Sequence, residues 1–342
     1  MYSLETISKI HFELSSHCNS KCPQCPRYDM HGRVHKNLNV THLDLKIIRS
    51  LPIEKMKNLK IVHFCGNFGD PLMHPDLDDI IDMFQRQQIE ISTNASLRSQ
   101  QWWSDLGKKK NVSVTFCIDG IGHEHELYRR NTSYEKIIDN AKAFLEAGGL
   151  AIWQFIVFRH NQHQIDEAKK LSHDMGFKKI EFRFSDRFDT HNKWKVFDNG
   201  VYQYDLEKAS HQTTLRESLY VPEGEKYWKV LNKNKGQITC VASQRKKIYI
   251  HSDGTVYPCC QLGSVQSGKD VEKLMLKKIV KDFKKVDLHW VNFEQILKSD
   301  FFQKNLPASL KQDPFSHPIC IEWCNKATGK YYNQNLTSVD IP

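Results

Sequence analysis

Apolar residues recur at two periods along the first half of this chain, and the alternation of those periods predicts its elements. Ile10, Phe12 and Leu14 alternate with His11 and Glu13, which predicts a strand over 8–14. A helix is expected over 43–57, with Pro52 stopping or starting it locally, and then a strand over 59–64. Residues 77–86 read as a helix, and 89–92 and 112–118 as strands. Ile137, Ile138, Ala141 and Leu145 fall at helical spacing within 134–147, and Gly148-Gly149 ends that helix. A strand over 151–158, a helix over 165–175 closed by Gly176, and a strand over 179–184 complete the series. Such alternation predicts an α/β fold, a parallel sheet with crossover helices.

Parity sorts the strand faces. His63 with Cys65, Ser92 with Asn94, Thr115 with Cys117 and Asp119, and Glu181 with Arg183 each share a face. These polar faces are expected inside, near the strand C-terminal ends where parallel-sheet sites lie. Beyond 185 the period is lost. Phe188, Trp194, Phe197, Tyr202, Tyr204, Tyr220, Tyr227 and Trp228 crowd a stretch that reads as a linker and lid, or as an exposed insertion. Lys247–Ile250, the turn Ser252-Asp253-Gly254-Thr255 and the return Val256-Tyr257 predict a hairpin. Two helices are expected next, over 270–285 and 293–302. The first sets Lys273, Lys277, Lys278, Lys281, Lys284 and Lys285 against an apolar face of Leu274, Leu276, Ile279, Val280 and Phe283. It grips an acidic partner or is a solvated face. The polar tail from 326 packs loosely or contributes to a homodimer.

Composition narrows the class. The 342 residues suffice for a large core and more than one domain. With 39% apolar and 26% charged residues the chain is globular, not disordered. It has no apolar run of about eighteen residues that would span a membrane, and no basic-then-apolar start that would mark secretion. A cytoplasmic protein is expected. The net charge of +9 suits nucleic acid, acidic peptide or an anionic cofactor, although no arginine-rich arm or zinc-finger spacing favours nucleic acid. Ten cysteines in such a chain suggest metal or redox chemistry more than disulfides.

Cys18, Cys22 and Cys25 stand within eight residues, just after the first strand. A loop folded back at that spacing points three thiolates at one object: zinc, copper(I) or an iron–sulfur cluster. A closed zinc site wants a fourth ligand, which His17 or His31 would supply. A cluster with one unligated iron would bind something else there. Far downstream, Cys240, Cys259, Cys320 and Cys324 can complete a four-thiolate site, with Cys260 spare or a substitute; zinc also suits four thiolates.

The Cys-x3-Cys-x2-Cys spacing resembles the signature of the radical S-adenosylmethionine superfamily. The resemblance implies a partial (β/α)6 TIM-like barrel. It also implies that Cys18, Cys22 and Cys25 hold a 4Fe–4S cluster whose fourth iron chelates S-adenosylmethionine, cleaved to a 5′-deoxyadenosyl radical. Gln24 stands where many members carry an aromatic residue. Gly66, Gly69, Asp70 and Pro71 resemble the family's Gly-Gly-Glu-Pro segment at the cofactor, with aspartate for glutamate. Thr93-Asn94 at the end of the third strand resembles its Thr-Asn-Gly turn, with Ala95 for glycine, and Ser92 and Asn94 are the cofactor-site candidates there. Cys117-Ile118-Asp119-Gly120 looks like its Ser-x-Asp-Gly element, and the resemblance implies Arg129 or Arg130 as a cofactor or substrate ligand, where the residues alone also read as a solvated basic turn. Thirteen residues separate Cys240 from Gly254 and four separate Gly254 from Cys259, a spacing that resembles the first half of the auxiliary-cluster domain called SPASM. The cysteines are too few for its two clusters, so the one-cluster version called twitch, with a second 4Fe–4S cluster, fits better.

The expected domains are a barrel over 1–185, an aromatic bridge over 186–237, a small cysteine-rich α+β auxiliary domain over 238–330 and a tail over 331–342. The resemblance implies hydrogen abstraction from a peptide or protein. A small metabolite such as a sugar or nucleoside, and a nucleic-acid base, are alternative substrates, and a non-enzymatic zinc module is a reading of another class. An electron donor such as flavodoxin or ferredoxin is implied. Only seventeen residues precede Cys18, so a leader-binding domain is expected to be absent or supplied by a partner. Cys117 is a candidate hydrogen-atom donor, ahead of Cys65, though a buried free thiol needs no chemistry. Asp119, Glu181 and Arg183 are candidates for handling a proton after hydrogen loss.

Overall fold

The first six strands lie within two residues of where alternation puts them. They are β1 (Lys9–Phe12), β2 (Ile61–Phe64), β3 (Gln88–Thr93), β4 (Val112–Cys117), β5 (Leu150–Val157) and β6 (Lys179–Phe184). The structure, a computed structural model, describes residues 2–185, 187–210, 238–267, 270–311, 316–325 and 337–340. The chain divides into two units. The smaller gathers Met1–Glu13, Leu43–Val62 and the described part of Thr214–Gln334; the larger takes Leu14–His42, the described part of His63–Thr213 and the last strand.

In the larger unit β3, β4, β5 and β6 run parallel in that order, with the second half of β2 beside β3. Helices return the chain between them, including Gln100–Gly107, which the sequence reading passes over. Ser99 caps it, accepting from Trp102 N at 3.2 Å. Trp103, Phe116, Phe144, Trp153 and Phe177 form an aromatic core where helix Tyr134–Glu146 meets β4 and β5. At Gly148, φ is +86° and the helix ends as expected.

Part of the expected bridge is regular. β7 (Lys193–Asp198) and β8 (Val201–Glu207) form an antiparallel hairpin. Its turn is Asn199-Gly200, with φ of +49° and +90°, the left-handed pair that a tight hairpin requires. Val196 and Leu206 pack with Cys22, Tyr128 and Phe158 in a buried cluster that Trp194 and Tyr204 flank. Trp194 and Tyr204 are therefore partly buried, whereas Tyr202 at the hairpin tip is exposed. Tyr220, Tyr227 and Trp228 lie outside the described residues.

In the smaller unit β1 pairs in parallel with β9 (Lys247–Ile250), which turns back on β10 (Val256–Tyr257) as expected. Tyr249, Tyr257, Phe301 and Phe302 fill its core. The helix expected over 43–57 is only Leu45–Arg49, because Pro52 supplies no N–H to extend it; a 3₁₀ turn, Ile53–Lys55, follows. The basic helix is Asp270–Val280; Lys281 takes φ +64° and a 3₁₀ turn, Phe283–Val286, continues. The helix after it ends at Lys298, and Phe301–Asn305 is a π turn.

Of the tail, where loose packing or a dimer contact is expected, residues 337–340 are described, and these pair with a strand. Thr337–Asp340 is β11, antiparallel to β6 at the edge of the larger unit's sheet. Overall the class is as expected: α/β, a partial barrel of parallel strands, with a C-terminal auxiliary region. No helix among the described residues is long and apolar enough to cross a membrane.

Candidate cluster and cofactor site

The cysteine loop is closed by its own backbone. Cys25 N donates to Cys22 O at 3.1 Å, Tyr28 N to Cys25 O at 3.0 Å, and Lys21 N to Arg130 O at 2.8 Å. Cys22 is buried, and Cys18 and Cys25 are partly so. Polar groups stand at two sulfurs: Asn94 Nδ2 lies 3.8 Å from Cys18 Sγ, while Arg129 Nη1 at 3.7 Å and Ser20 Oγ at 3.0 Å approach Cys22 Sγ. Burial pushes the Cys18 thiol up, helped by Asp70 and by Cys22 and Cys25. Burial, then Cys22, pushes Cys25 up to about 11. The three thiols are thus electrostatic neighbours.

Among the described residues no three His, Cys, Asp or Glu side chains converge tightly enough to share one ion. Cluster ligands bind different irons and need not. Neighbouring cysteines with N–H donors at their sulfurs fit a thiolate-held cluster, whose potential such hydrogen bonds tune.

The glycine loop abuts the cysteine loop. A Cβ on Gly69 would collide with Ser15 O, and one on Gly66 with Gly69 O. These glycines permit chain-on-chain approach, a tighter requirement than the ligand approach the sequence suggests. Asp70 is buried and held by its own chain: Leu72 N at 3.0 Å, Thr93 Oγ1 at 2.8 Å and Asn94 N at 2.8 Å approach its carboxylate. It caps the turn that Pro71 opens. Asn94 also donates to Asn19 Oδ1 at 2.9 Å. Ala95 carries a left-handed φ of +56°, the conformation for which glycine is suited. Ser92 Oγ pairs with His63 Nε2 at 3.1 Å.

Two buried residues brace the loop, and sequence reading misses the first of them. Arg27 Nη1 donates to Ser16 O and, at 3.2 Å, to Phe68 O, joining both loops; its Nε has no partner. Gln24, the departure from the aromatic pattern, donates to Arg187 O and accepts from Ser185 Oγ, both at 2.7 Å, fastening the loop to the segment after β6. A shallow cleft beside this loop is lined by Lys21, Tyr28, Met30, Arg130, Trp194 and Phe197.

Asp119 is fully buried beyond β4 and accepts from Arg129 Nε and from Ile156 N, both at 2.6 Å. Burial pushes its carboxyl up, and Arg129 opposes that shift. Cys117 is buried, its thiol pushed up to about 11 by burial and within the fields of Arg129, Asp119 and Arg183. Gln154 Nε2 lies 3.7 Å from its sulfur. Glu181 pairs with Lys179 and, at 3.0 Å, Arg183; burial alone would raise its pKa, but the two cations hold it below the usual value. Cys65 is partly exposed, its Sγ 3.9 Å from Gly66 O.

His125 supports this corner. Its Nδ1 accepts from Asp119 N at 3.1 Å, its Nε2 meets Thr132 Oγ1 at 3.2 Å, and burial pushes its pKa down to about 3. An unfolded imidazole protonates near 6.5. As pH falls from about 6.5 toward 3, the unfolded chain gains a proton that the folded chain refuses, so stability is lost. About 2 kcal/mol should go by pH 5, and His125→Gln should lose correspondingly less. Denaturation of both proteins at pH 7 and pH 5 measures the difference; identical pH responses would refute it.

The second cysteine set assembles in the smaller unit. Cys320 and Cys324 share one face of helix Pro318–Cys324, and Cys240 caps helix Val241–Gln244. Thr239 N donates to Cys324 O at 3.0 Å. Burial raises Cys259, with Cys260, Cys240 and Cys320 adding; it raises Cys320, with Cys240 and Cys324 adding. Cys260 has other surroundings: burial and Glu13 push it up to about 11, and Lys247 opposes them. Tyr2, which sequence reading misses, is buried within the field of Cys240, Cys259 and Cys324, and Ser243 Oγ lies 3.2 Å from its hydroxyl.

Two family models match the chain. The model of the Radical SAM superfamily matches residues 12–171, and that of SPASM, an iron–sulfur cluster-binding domain, matches residues 240–326. A cysteine-type anaerobic sulfatase-maturating enzyme of Clostridium novyi is 24% identical over 197 residues, 53% of this chain. The chain spans half the length of that curated relative. Its fold is similar to that of anSMEcpe with bound AdoMet, at TM-score 0.55 and 16% identity, covering 89% of this chain and 81% of that one. It is also similar to Streptococcus suis SuiB bound to precursor peptide SuiA, at TM-score 0.51 and 15% identity, covering 78% and 62%.

Proposed function

The chain belongs to the radical S-adenosylmethionine superfamily and carries a SPASM domain, and from that premise we propose that it abstracts a hydrogen atom from a peptide or protein substrate. The observation that carries the chemistry is the triplet Cys18, Cys22 and Cys25, gathered in one loop with Asn94 and Arg129 donating toward its sulfurs. When bound, a 4Fe–4S cluster and S-adenosylmethionine supply reductive sulfonium cleavage and a 5′-deoxyadenosyl hydrogen abstractor.

The chain's residues hold and shape that site. Cys18, Cys22 and Cys25 ligate the cluster. Gly66, Gly69, Asp70 and Pro71 form the cofactor side with Ser92 and Asn94, Asp70 acting as the internal brace. Asp119 fixes the Arg129 guanidinium beside Cys22. Cys117, within the fields of Arg129, Asp119 and Arg183, is the candidate hydrogen-atom donor, and Arg183 with Glu181 and Asp119 would handle the proton. Cys240, Cys259, Cys320 and Cys324 hold a second 4Fe–4S cluster, with Cys260 a neighbour of Cys259 that also lies within the field of Glu13. A flavodoxin- or ferredoxin-like protein supplies electrons.

The relatives support the substrate class: one is named for sulfatase maturation and another is bound to a precursor peptide. The test is isotope transfer. Deuterium from labelled candidate peptides is expected to appear in 5′-deoxyadenosine in a single anaerobic turnover. Transfer from a labelled sugar or nucleoside, with none from peptides, would overturn the substrate assignment.

A further inference from the structure

The smaller unit carries a dense positive surface that the reaction chemistry leaves unused. Helix Asp270–Val280 places Leu274, Lys277 and Lys278 along one exposed stripe, at helical spacing, and Lys281 follows directly after its end. Lys284 and Lys285 continue it through the next turn, also exposed. Among the described residues Lys277, Lys281, Lys284 and Lys285 join no ion pair, although Lys281 and Lys285 lie within the field of Asp300. Two large apolar side chains interrupt the charge: Leu274 is 56% exposed, and Trp290 is 64% exposed with Lys284 Nζ 4.6 Å from its ring centre. Unpaired lysines around exposed apolar anchors are complementary to an acidic protein surface.

The surface is tied to the auxiliary cysteines. His317 is fully buried; its Nδ1 accepts from Ile319 N at 3.2 Å, so its Nε2 carries the hydrogen and donates to Glu272 O at 3.0 Å. One imidazole thus links the basic helix to the start of the helix carrying Cys320 and Cys324.

We propose that this lysine face, centred on Lys281 and Trp290, docks an acidic one-electron carrier protein that reduces the auxiliary cluster. The inference rests on the reading that Cys240, Cys259, Cys320 and Cys324 hold a cluster. The step is a bare electron transfer: the carrier is oxidised by one electron, the cluster is reduced by one, and no bond or proton moves. The link through His317 favours a carrier over a peptide substrate.

The test compares the wild-type holoprotein with Lys277→Glu/Lys281→Glu/Lys284→Glu and with Trp290→Ala, using a reduced flavodoxin as probe. Wild-type affinity should fall roughly tenfold or more between low and 0.3 M salt. The triple variant should bind at least tenfold more weakly at low salt, and Trp290→Ala several-fold more weakly. Flavodoxin-driven reduction of the auxiliary cluster, read as bleaching of the iron–sulfur absorbance in a Cys18→Ala/Cys22→Ala/Cys25→Ala background, should slow as binding weakens, while dithionite reduces that cluster as in the protein with the lysine face intact. Unchanged flavodoxin affinity overturns the proposal, as does loss of peptide affinity with flavodoxin affinity intact, which would assign the face to substrate. Iron analysis of wild type separates the premise: a single cluster's iron removes the auxiliary cluster and with it the electron route, whatever the binding shows.

Discussion

Alanine at Cys18, Cys22 and Cys25 together is expected to abolish 5′-deoxyadenosine formation and to leave roughly four irons per chain, one cluster's worth. The thiols fall into two groups by their surroundings. Cys18 feels Cys22 and Cys25, whereas Cys320 feels Cys240 and Cys324. Emptying one should therefore spare the other. The reverse substitution, Cys320→Ala with Cys324→Ala, should remove the other half of the iron and also loosen the smaller unit. Metal there ties together segments separated by long stretches of chain, and its binding energy becomes folding energy. Cys260→Ala should keep full iron, because the charges that act most on that thiol are those of Glu13 and Lys247. Iron and sulfide analysis on anaerobically purified protein, with product assay, reads all three variants. Product formation by the triple variant would sink the assignment, and full iron loss from it would show that the two groups are not independent.

Features set by neighbours in sequence were legible. Alternation located β4 and β6 because each strand alternates buried and half-exposed positions over several residues. The cysteine spacings were legible because a short loop must bring its thiols together. The β7–β8 hairpin was missed although Asn199-Gly200 announced it; the crowded aromatics of that stretch masked the alternation of Trp194 and Val196. Helix Gln100–Gly107 was missed because Gln100, Gln101 and Ser104 give its exposed side little contrast with the turn before it. Arg27 and Tyr2 had no local signal. Their places depend on carbonyls of Ser16 and Phe68 and on thiols some 240 residues away or more, partners that only the folded chain supplies. Asp70 was legible in position but not in role: three groups of its own chain occupy it.

Replacing Arg129 with glutamine is expected to damage the larger unit more at high pH than at low pH. The guanidinium is 14% exposed and stands 2.6 Å from the fully buried Asp119 carboxylate. Removing one partner of such a pair strands the other charge, at a cost of about 3–5 kcal/mol. The pH dependence follows from which state holds the proton. Burial already pushes Asp119 up, and Arg129 is the largest opposing influence. Without it the folded pKa rises further above the unfolded value of about 3.9. Between those two values the folded carboxyl is protonated and the unfolded one is not. The variant is therefore most stable at acid pH and loses stability as pH rises through the raised folded pKa. Chemical denaturation at pH 5 and pH 8 should show the larger deficit at pH 8. Arg129→Gln/Asp119→Asn should recover part of it and lose the pH dependence, since no stranded charge remains. Equal deficits at both pH values, or a double variant worse than the single, would reject the ion pair as the cause. Arg129→Lys separates structure from site: it keeps a cation for Asp119 but not a fork that also reaches Cys22 Sγ. It should recover most of the stability while 5′-deoxyadenosine formation stays depressed.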